Sequence, residues 1–260
     1  MVRDAVPLGE CGRALVIKLR HHGDVLLAAP VLAVLKAHAP RLEVDALVYD
    51  DTAEMLAGHP ALSELHVVGR RWRREGVFSR LSLEKKLFGK LKKRSYDLIV
   101  HLSEQPRGAW LARSLGARYS VAPAMNDRGR FWRGSFTHLF PLARRRHQVE
   151  VNLDALRRIG IQPGLDERKV AFVPGVEAEK KIATLVGNDA FVHLHAASRW
   201  RFKCLSVAQN AELADRLAGA GFKVVLTAAP DSAETLFVEE IVKASRSKPV
   251  SLAGQLSIRE

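Results

Sequence analysis

The chain of 260 residues is 47% hydrophobic, 27% charged and 7% aromatic, a globular balance that excludes disorder, collagen-like repeats and a coiled coil. Its 41 Lys and Arg residues against 28 Asp and Glu give a formal net charge of +13. This excess predicts an anionic partner: nucleic acid, an acidic membrane surface or phosphorylated ligands.

The N-terminus shows no pattern of a secretion signal or a membrane anchor. Charged residues precede any apolar run, and the apolar stretch at 25–35 contains Pro30 and is too short to span a bilayer. The two cysteines, Cys11 and Cys204, are far apart and form neither a disulfide framework nor a CxxC metal site. We therefore expect a soluble protein in a reducing, cytoplasmic compartment.

Strand and helix patterns alternate along the first 160 residues. A strand at 14–19 is followed by a helix that reaches His38, with Asp24 as its N-cap and Pro30 either kinking it or lying in its first turn. Further strands are predicted at 42–48, 65–68 and 98–102, and further helices at 52–57, 81–93, 108–115 and 148–159. Between 122 and 146 the pattern fails. The alternation predicts a mostly parallel sheet with helices on both faces.

A second series follows 160–186, which is rich in Pro and Gly and predicts a domain linker with an irregular edge. Strands are predicted at 191–195, 224–227 and 250–252, and helices at 205–218 and 231–243. We therefore expect two Rossmann-like domains, at 1–170 and 171–260. Ser257 and Glu260 have the spacing of a capping box, which marks a helix start, so the second domain is expected to be incomplete at its C-terminal end.

The turn LRHHGD, at 19–24, is the first candidate site. In an open parallel sheet, ligands bind outside the carboxyl ends of the strands. Gly23 would permit close approach of a ligand to the backbone, and Asp24 would stand at this edge. The alternative is that Asp24 only caps the helix. No GxGxxG fingerprint is present, so the turn is not a dinucleotide cradle.

The segment HAASRWRFKCL, at 195–205, is the second candidate site. Ser198, Arg199, Arg201 and Lys203 lie directly before a predicted helix, whose first N–H groups lack partners. Positive side chains and free amides together favour an anion. A solvated basic turn is the alternative.

The segment GRRWRREG, at 69–76, is the third candidate site and is predicted to be a loop. Arginine binds phosphate with paired donors, although most charge runs are solvated faces. The clustered arginines surround Trp72 and are Arg70, Arg71, Arg73 and Arg74.

Metal-binding patterns are weak. His193 and His195 lie two apart on a predicted strand and face one side, but no third ligand is near in sequence, which favours a structural role. No DxD pair that would hold a divalent metal against a diphosphate is present.

Four segments together resemble the bacterial lipopolysaccharide heptosyltransferases of glycosyltransferase family 9. They are LVIKLRHHGDVLLAAPVLAVLK at 15–36, YDLIVHL at 96–102, ASRWRFKCL at 197–205 and GFKVVLTAAPD at 221–231. The LRHHGD form is most similar to the heptosyltransferase III branch. The resemblance covers nearly the whole chain and implies an α/β, GT-B glycosyltransferase. In that fold two Rossmann-like domains face each other, the first binding the lipopolysaccharide inner core and the second binding ADP-heptose.

The resemblance also implies an activity: inverting, metal-independent transfer of heptose from ADP-heptose to the inner core, with no cofactor. Asp24 matches the family's catalytic base, and Lys203 matches the lysine that contacts the diphosphate. The family's distal donor motif, an Asp followed by a His, is not found in the chain. The implied donor-binding residues are Ser198, Arg199, Lys203, Asp231 and Glu234.

The implied acceptor carries carboxylates and phosphates, which gives the positive charge a partner. The expected location is cytoplasmic and peripheral, at the anionic inner face of the inner membrane. The implied acceptor-binding residues are Gly23, Arg70, Arg71, Arg73 and Arg74.

Two other functions remain open at this stage. A non-catalytic nucleic-acid-binding protein would explain the charge, but aromatic RNA-binding and helix-turn-helix signatures are missing and the basic residues are dispersed. An inactive truncated relative that keeps only the acceptor domain would explain the missing donor motif.

Overall fold

The computed structural model describes residues 4–74, 76–125, 127–143, 145–187, 189–198 and 200–260, with the backbone alone at 73 and 74. The chain forms two compact units, Met1–Val173 and Pro174–Glu260, which we call unit 1 and unit 2. Each unit contains a parallel sheet.

Unit 1 is built on six parallel strands in the order β3-β2-β1-β4-β5-β6. The chain runs outward from β1 to β3 on one side and then from β4 to β6 on the other, so the topological switch point lies between β1 and β4. In the centre, Ile17 pairs with Leu47 on one side and with His101 on the other. The strands are β1 (Arg13–Ile17), β2 (Glu43–Tyr49), β3 (Leu65–Val68), β4 (Leu98–His101), β5 (Tyr119–Pro123) and β6 (His138–Phe140).

Helices cover both faces of this sheet, as the alternation of patterns predicted. Successive β1 residues point to opposite faces, so Val16 joins a core with α2 and α6, whereas Leu15 joins a core with α3 and α4. The helices of unit 1 are α1 (His22–Leu26), α2 (Ala29–His38), α3 (Val77–Arg94), α4 (Pro106–Leu115), α5 (Arg130–Arg133) and α6 (Gln148–Arg158). Short 3-10 helices cover Leu8–Glu10, Asp50–Met55, Arg70–Arg74 and Asp166–Arg168.

The predicted helix after β1 is two helices, and the prediction that Asp24 is its N-cap was wrong. Asp24 lies inside α1, whose N-cap is His21. Pro30 lies in the first turn of α2, which settles the alternative left open by the sequence. The reason is that proline has no N–H to donate to the Leu26 carbonyl, so α1 cannot continue through it.

Two other segments are more regular than predicted. The patternless stretch 122–146 contains α5 and β6, and the predicted linker 160–186 contains a helix, Val176–Val186. Elements of three or four residues are too short to show a period, and the latter helix buries only Ala178 and Val186. The predicted helix at 52–57 is the 3-10 helix Asp50–Met55, and the predicted loop at 69–76 contains the 3-10 helix Arg70–Arg74.

Unit 2 confirms the predicted second strand–helix series. Its three strands are parallel, in the order β7-β8-β9, with Val192 paired to Val224 and Val225 to Val250. Leu226 and Val225 join cores on opposite faces of this sheet. The elements are α7 (Val176–Val186), β7 (Phe191–His195), α8 (Val207–Gly219), β8 (Lys223–Thr227), α9 (Ser232–Ala244) and β9 (Val250–Ser251), with a 3-10 helix at Arg201–Lys203.

Side-chain hydrogen bonds cap the N-termini of α8 and α9. Ser206 and Gln209 form a complete capping box at α8, and the Asp231 carboxylate caps α9. At the predicted capping box near the C-terminal end, the Ser257 N–H donates to the Glu260 carboxylate at 2.8 Å. Among the helices of the described residues, none combines the length and the apolar composition needed to cross a bilayer.

Candidate active site

A cavity of about 60 Å³ in unit 1 lies where four strands end. It is lined by the residues that follow β1 and β4, by the last residue of β5 and by residues at and just after the end of β6. The first turns of α6 complete the lining. This is the ligand-binding edge of a parallel sheet. The polar and charged residues of the lining are Lys18, Arg20, Asp24, Ser103, Glu104, Gln148 and Asn152.

Asp24 is the acidic residue that the turn after β1 contributes to this cavity. Its side chain is half-buried. Within the described ranges, its carboxylate accepts no hydrogen bond and forms no ion pair, so both oxygens are available to a ligand. A carboxylate in this state can accept a proton from a hydroxyl group that enters the cavity.

Lys18 lies beneath this site and is only 3% exposed. Its Nζ donates to the Leu102 carbonyl at 2.9 Å and to the Asn152 Oδ1 at 3.0 Å. Asn152 is itself held, because its Nδ2 donates to the Leu27 carbonyl at 2.7 Å and its Oδ1 accepts from Gln148. Burial lowers the pKa of Lys18 to about 8, while the negative charge of Asp24 opposes that shift.

Lys18 is a site residue that the sequence patterns did not predict. The signal was present, since a lysine stands within the apolar run ALVIKL just after strand residues that are fully buried. A charged group in such a run is rarely buried unless it is paired. Its partner Asn152 is distant in sequence, so no spacing could have indicated the pair.

Arg20 supplies a second positive charge at the cavity. One guanidinium nitrogen lies 3.7 Å from a Glu104 carboxylate oxygen, and both side chains are partly exposed. The Ser103 hydroxyl accepts from the Leu19 N–H at 2.9 Å and so fixes the chain after β4 beside the turn after β1. The edge therefore presents an unpaired carboxylate beside cationic groups.

The predicted arginine cluster is only partly described. Arg70 is held in place: its Nε lies 2.6 Å from an Asp51 carboxylate oxygen, its Nη2 donates to the Arg20 carbonyl at 3.1 Å, and its guanidinium stacks 4.1 Å from the Tyr49 ring centre. It therefore braces the turn that carries the site. Arg71 is exposed. The side chains of Arg73 and Arg74 lie outside the described part of the chain.

Gly23 has no structural need to be glycine. It adopts an ordinary backbone conformation inside α1, and an added Cβ would meet no atom within 4 Å. Gly69 is the opposite case, because an added Cβ would lie 1.8 Å from the Trp72 Nε1. The space above Gly23 is therefore open to a ligand.

A larger cavity of about 460 Å³ lies in unit 2, beyond the ends of β7 and β8 and at the start of α9. It brings together three residues predicted for donor binding, Ser198, Asp231 and Glu234. Lys203 does not line it. That lysine is exposed on the neighbouring 3-10 helix, and Arg199 lies outside the described residues.

Charges of both signs line the unit 2 cavity. The Arg201 guanidinium lies 3.1 Å above the Phe237 ring centre, a cation–π contact. The Asp231 carboxylate accepts from the N–H groups of Ala233 and Glu234 at 3.0 and 3.3 Å. The first amides of α9 are therefore occupied, which leaves the Ser198 and Arg201 side more favourable for an anion.

The histidine pair of β7 has a structural partner. His193 and His195 face the same side, as predicted, and lie 2.7 and 2.9 Å from the Thr227 hydroxyl. Burial and the neighbouring His195 lower the pKa of His193.

In the described ranges, one trio of side chains has metal-ligand spacing: Asp45, Glu64 and His66. Arg94 donates to the Asp45 carboxylate at 2.8 and 3.0 Å, and Tyr96 donates to it at 2.8 Å. The guanidinium already supplies the positive charge that a metal would bring, so this cluster is an ion network in which Asp45 and His66 are buried and Glu64 is exposed.

The chain has a fold of the α/β GT-B class. Its fold is similar to that of the glycosyl transferase family 9 structure from Veillonella parvula, with a TM-score of 0.83 at 20% identity over 98% of this chain and 72% of that one. It is also similar to the E. coli heptosyltransferase WaaC with ADP-2-deoxy-2-fluoro heptose, with a TM-score of 0.73 at 19% identity over 92% of this chain and 75% of that one.

Sequence comparison identifies the family. The profile of Glycosyltransferase family 9 (heptosyltransferase) matches residues 84–260. Lipopolysaccharide heptosyltransferase 3 of E. coli K12 is 30% identical over 246 residues, which cover 93% of this chain and 71% of that protein. Lipopolysaccharide heptosyltransferase 1 of Pseudomonas aeruginosa is 29% identical over 218 residues, covering 82% and 60% respectively. The chain belongs to glycosyltransferase family 9, which confirms the predicted family and the predicted enzyme class.

Proposed function

We propose that this protein transfers heptose from ADP-heptose to the inner core of lipopolysaccharide, with inversion at the anomeric carbon and without a metal ion. The observation that carries the proposal is the carboxylate of Asp24 at the ligand-binding edge of unit 1, which has no partner among the described residues. Membership in a heptosyltransferase family supports the sugar, and the relatives' printed names support the lipopolysaccharide acceptor.

Asp24 acts as the general base in this proposal. An acceptor hydroxyl gives its proton to the carboxylate as its oxygen forms a bond to the anomeric carbon. The bond from that carbon to the diphosphate oxygen breaks on the opposite side, and its electron pair leaves with ADP. Attack opposite the leaving group produces inversion.

The unit 2 cavity is the proposed donor site. The Asp231 and Glu234 carboxylates would accept hydrogen bonds from sugar hydroxyls of the nucleoside and would repel phosphate. Ser198 and Arg201 lie on the side that favours an anion, and exposed Lys203 and the neighbouring Arg199 would complete the diphosphate contacts. These cations offset the charge that develops on departing ADP, which is the role a metal would otherwise fill.

The acceptor is the proposed partner of the positive charge in unit 1. Carboxylates and phosphates of the inner core would contact Arg20, which lines the cavity with Asp24, and the exposed Arg71, with Arg73 and Arg74 as further contacts. Arg70 would act through the turn that it braces. An acceptor of this kind places the enzyme in the cytoplasm, at the inner face of the inner membrane.

The test is a transfer assay with ADP-heptose and a heptose-bearing core acceptor, with ADP release as the readout. We expect release that requires both substrates, survives chelation by EDTA and gives a product of inverted anomeric configuration by NMR. UDP-glucose in place of ADP-heptose is the donor control. ADP release in the absence of acceptor would contradict the proposal. So would transfer of sugar from UDP-glucose but not from ADP-heptose.

A further inference from the structure

The N-terminal two turns of α3 stand clear of the core of unit 1. Every residue from 76 to 82 is exposed, and the buried residues of the helix begin only at Leu87. Three apolar side chains lie in this exposed segment: Val77 is 70% exposed, Phe78 89% and Leu81 59%. We call Val77, Phe78 and Leu81 the apolar tip. Large apolar side chains gathered on a surface mark an interaction site more often than scattered ones do.

The same helix is strongly basic. Its one acidic residue, Glu84, forms an ion pair with Arg107, so α3 offers no free negative charge to a partner. Arg80 lies within the tip segment and is exposed. The five lysines further along are all exposed and are Lys85, Lys86, Lys90, Lys92 and Lys93.

Apolar and basic side chains share one side of α3. Phe78, Leu81, Lys85 and Lys92 follow each other at intervals of three, four and seven residues, which brings them to one side of a helix. Phe88, four residues before Lys92, lies at the edge of that side, half-buried against the core of unit 1, with the Lys92 Nζ 6.0 Å from its ring centre. Position 78 lies about 21 Å from position 92 along the helix axis, so this side of α3 is long enough to contact an extended surface.

We propose that α3 docks on an anionic lipid bilayer, with the apolar tip in the interface and the lysines against lipid phosphates. A basic helix with exposed aromatic and aliphatic residues has the chemistry of a membrane-surface helix. The basic and apolar side chains together favour a bilayer over an acidic protein. An anionic bilayer offers an apolar interior for the tip and, directly beside it, negatively charged phosphates for the lysines. The inference rests on the proposed function only in that a lipid-linked acceptor would bring the enzyme to such a surface.

The experiment is co-sedimentation of the full chain with vesicles of phosphatidylglycerol and phosphatidylcholine, against vesicles of phosphatidylcholine alone. We expect binding to the anionic vesicles that weakens as salt is added, because exposed charges are screened. The double variant Phe78→Ser, Leu81→Ser should bind at least about tenfold more weakly, the effect of withdrawing apolar side chains from a lipid interface. Leu165→Ser, a variant of an exposed leucine elsewhere in unit 1, is the matched control and should bind as the wild type does.

Catalysis is measured separately, with a delipidated core oligosaccharide as a soluble acceptor. The double variant should keep its rate on that acceptor, because neither Phe78 nor Leu81 lines the cavity that contains Asp24. The vesicles contain no sugar, so a failed transfer assay would contradict the proposed function without affecting the binding result. Equal vesicle binding by the double variant and the wild type would overturn the inference. So would self-association that the double variant abolishes in sedimentation velocity, since the tip would then contact a second copy.

Discussion

Asp24 is the proposed general base, and among the described residues its carboxylate has no hydrogen-bond or ion-pair partner. Asp24→Asn keeps the size of the side chain but removes the ability to take up a proton. We expect turnover to fall by roughly 10²–10⁴-fold, the usual contribution of a general base, with unchanged thermal stability and ADP affinity. ADP release, calorimetry with ADP and thermal unfolding measure the three quantities. Near-normal turnover would show that Asp24 is not the base.

We expect Lys18 to make the free energy of unfolding depend on pH above neutrality. Burial lowers its pKa from an ordinary value of about 10.5 to about 8, so between those values the unfolded chain holds a proton that the folded chain has lost. The free energy of unfolding therefore rises with pH across this window, by up to about 3 kcal/mol. The cost of burying the charge is fully present below pH 8.

Lys18→Met removes the titrating group and should abolish this rise. The comparison is the slope of unfolding free energy against pH, from urea denaturation of both proteins. The variant loses two hydrogen bonds, so its free energy of unfolding should be lower at every pH. The quantity that tests the prediction is therefore the slope against pH. Lys85→Met, at an exposed position of α3, serves as the control. Parallel slopes for wild type and Lys18→Met would contradict the prediction.

At the scale of an element, two glycines beside the unit 1 site should respond in opposite ways. Gly23→Ala adds a methyl group in open space within α1, and alanine is the better helix former, so stability should be unchanged or rise by up to about 1 kcal/mol. The acceptor KM should rise, because the methyl group occupies the proposed path of the acceptor. Gly69→Ala should lower stability, because the Cβ meets Trp72. Steady-state kinetics with varied acceptor and thermal unfolding distinguish the two; a normal KM in Gly23→Ala would exclude close acceptor approach there.

The start of α9 combines a cap with a proposed ligand contact, and two substitutions separate them. Asp231→Ala removes the cap of α9 and should cost about 1 kcal/mol, whereas Asp231→Asn keeps an oxygen that can cap and should cost little. Both remove the carboxylate, so both should weaken ADP binding in calorimetry if it holds the nucleoside. Normal ADP affinity in Asp231→Asn would leave Asp231 as a cap alone.

Strands and helices were predicted correctly where their hydrophobic pattern extends over several residues. The strands at 14–19 and 42–48 and the helix at 148–159 agree with β1, β2 and α6, because a buried strand or an amphipathic helix repeats its signal over several residues. The elements α5 and β6 were missed because four and three residues are too few for a helix or strand pattern to repeat. Arg70–Arg74 was predicted as a loop because its residues carry no apolar spacing.

At the scale of the molecule, unit 1 carries what an independent domain needs. Both cores of its sheet lie within its own residues, and helices of the same unit cover both faces. We expect a fragment of residues 1–173 to unfold cooperatively in urea, with the circular dichroism of an α/β protein. A broad, non-cooperative transition would mean that unit 1 requires the rest of the chain for its stability.

The sequence by itself determined the alternating α/β order, the turn that carries Asp24 and the family, because these depend on local patterns and on residues that are neighbours in the chain. Tertiary structure alone decided which side chains meet. Lys18 contacts Asn152 across 134 positions of sequence, and the ion pair of Arg20 with Glu104 forms only because β1 and β4 lie side by side. Burial and pairing are properties of contacts between distant segments. These contacts lower the pKa of Lys18 and, among the residues that the structure describes, leave Asp24 without an ion pair.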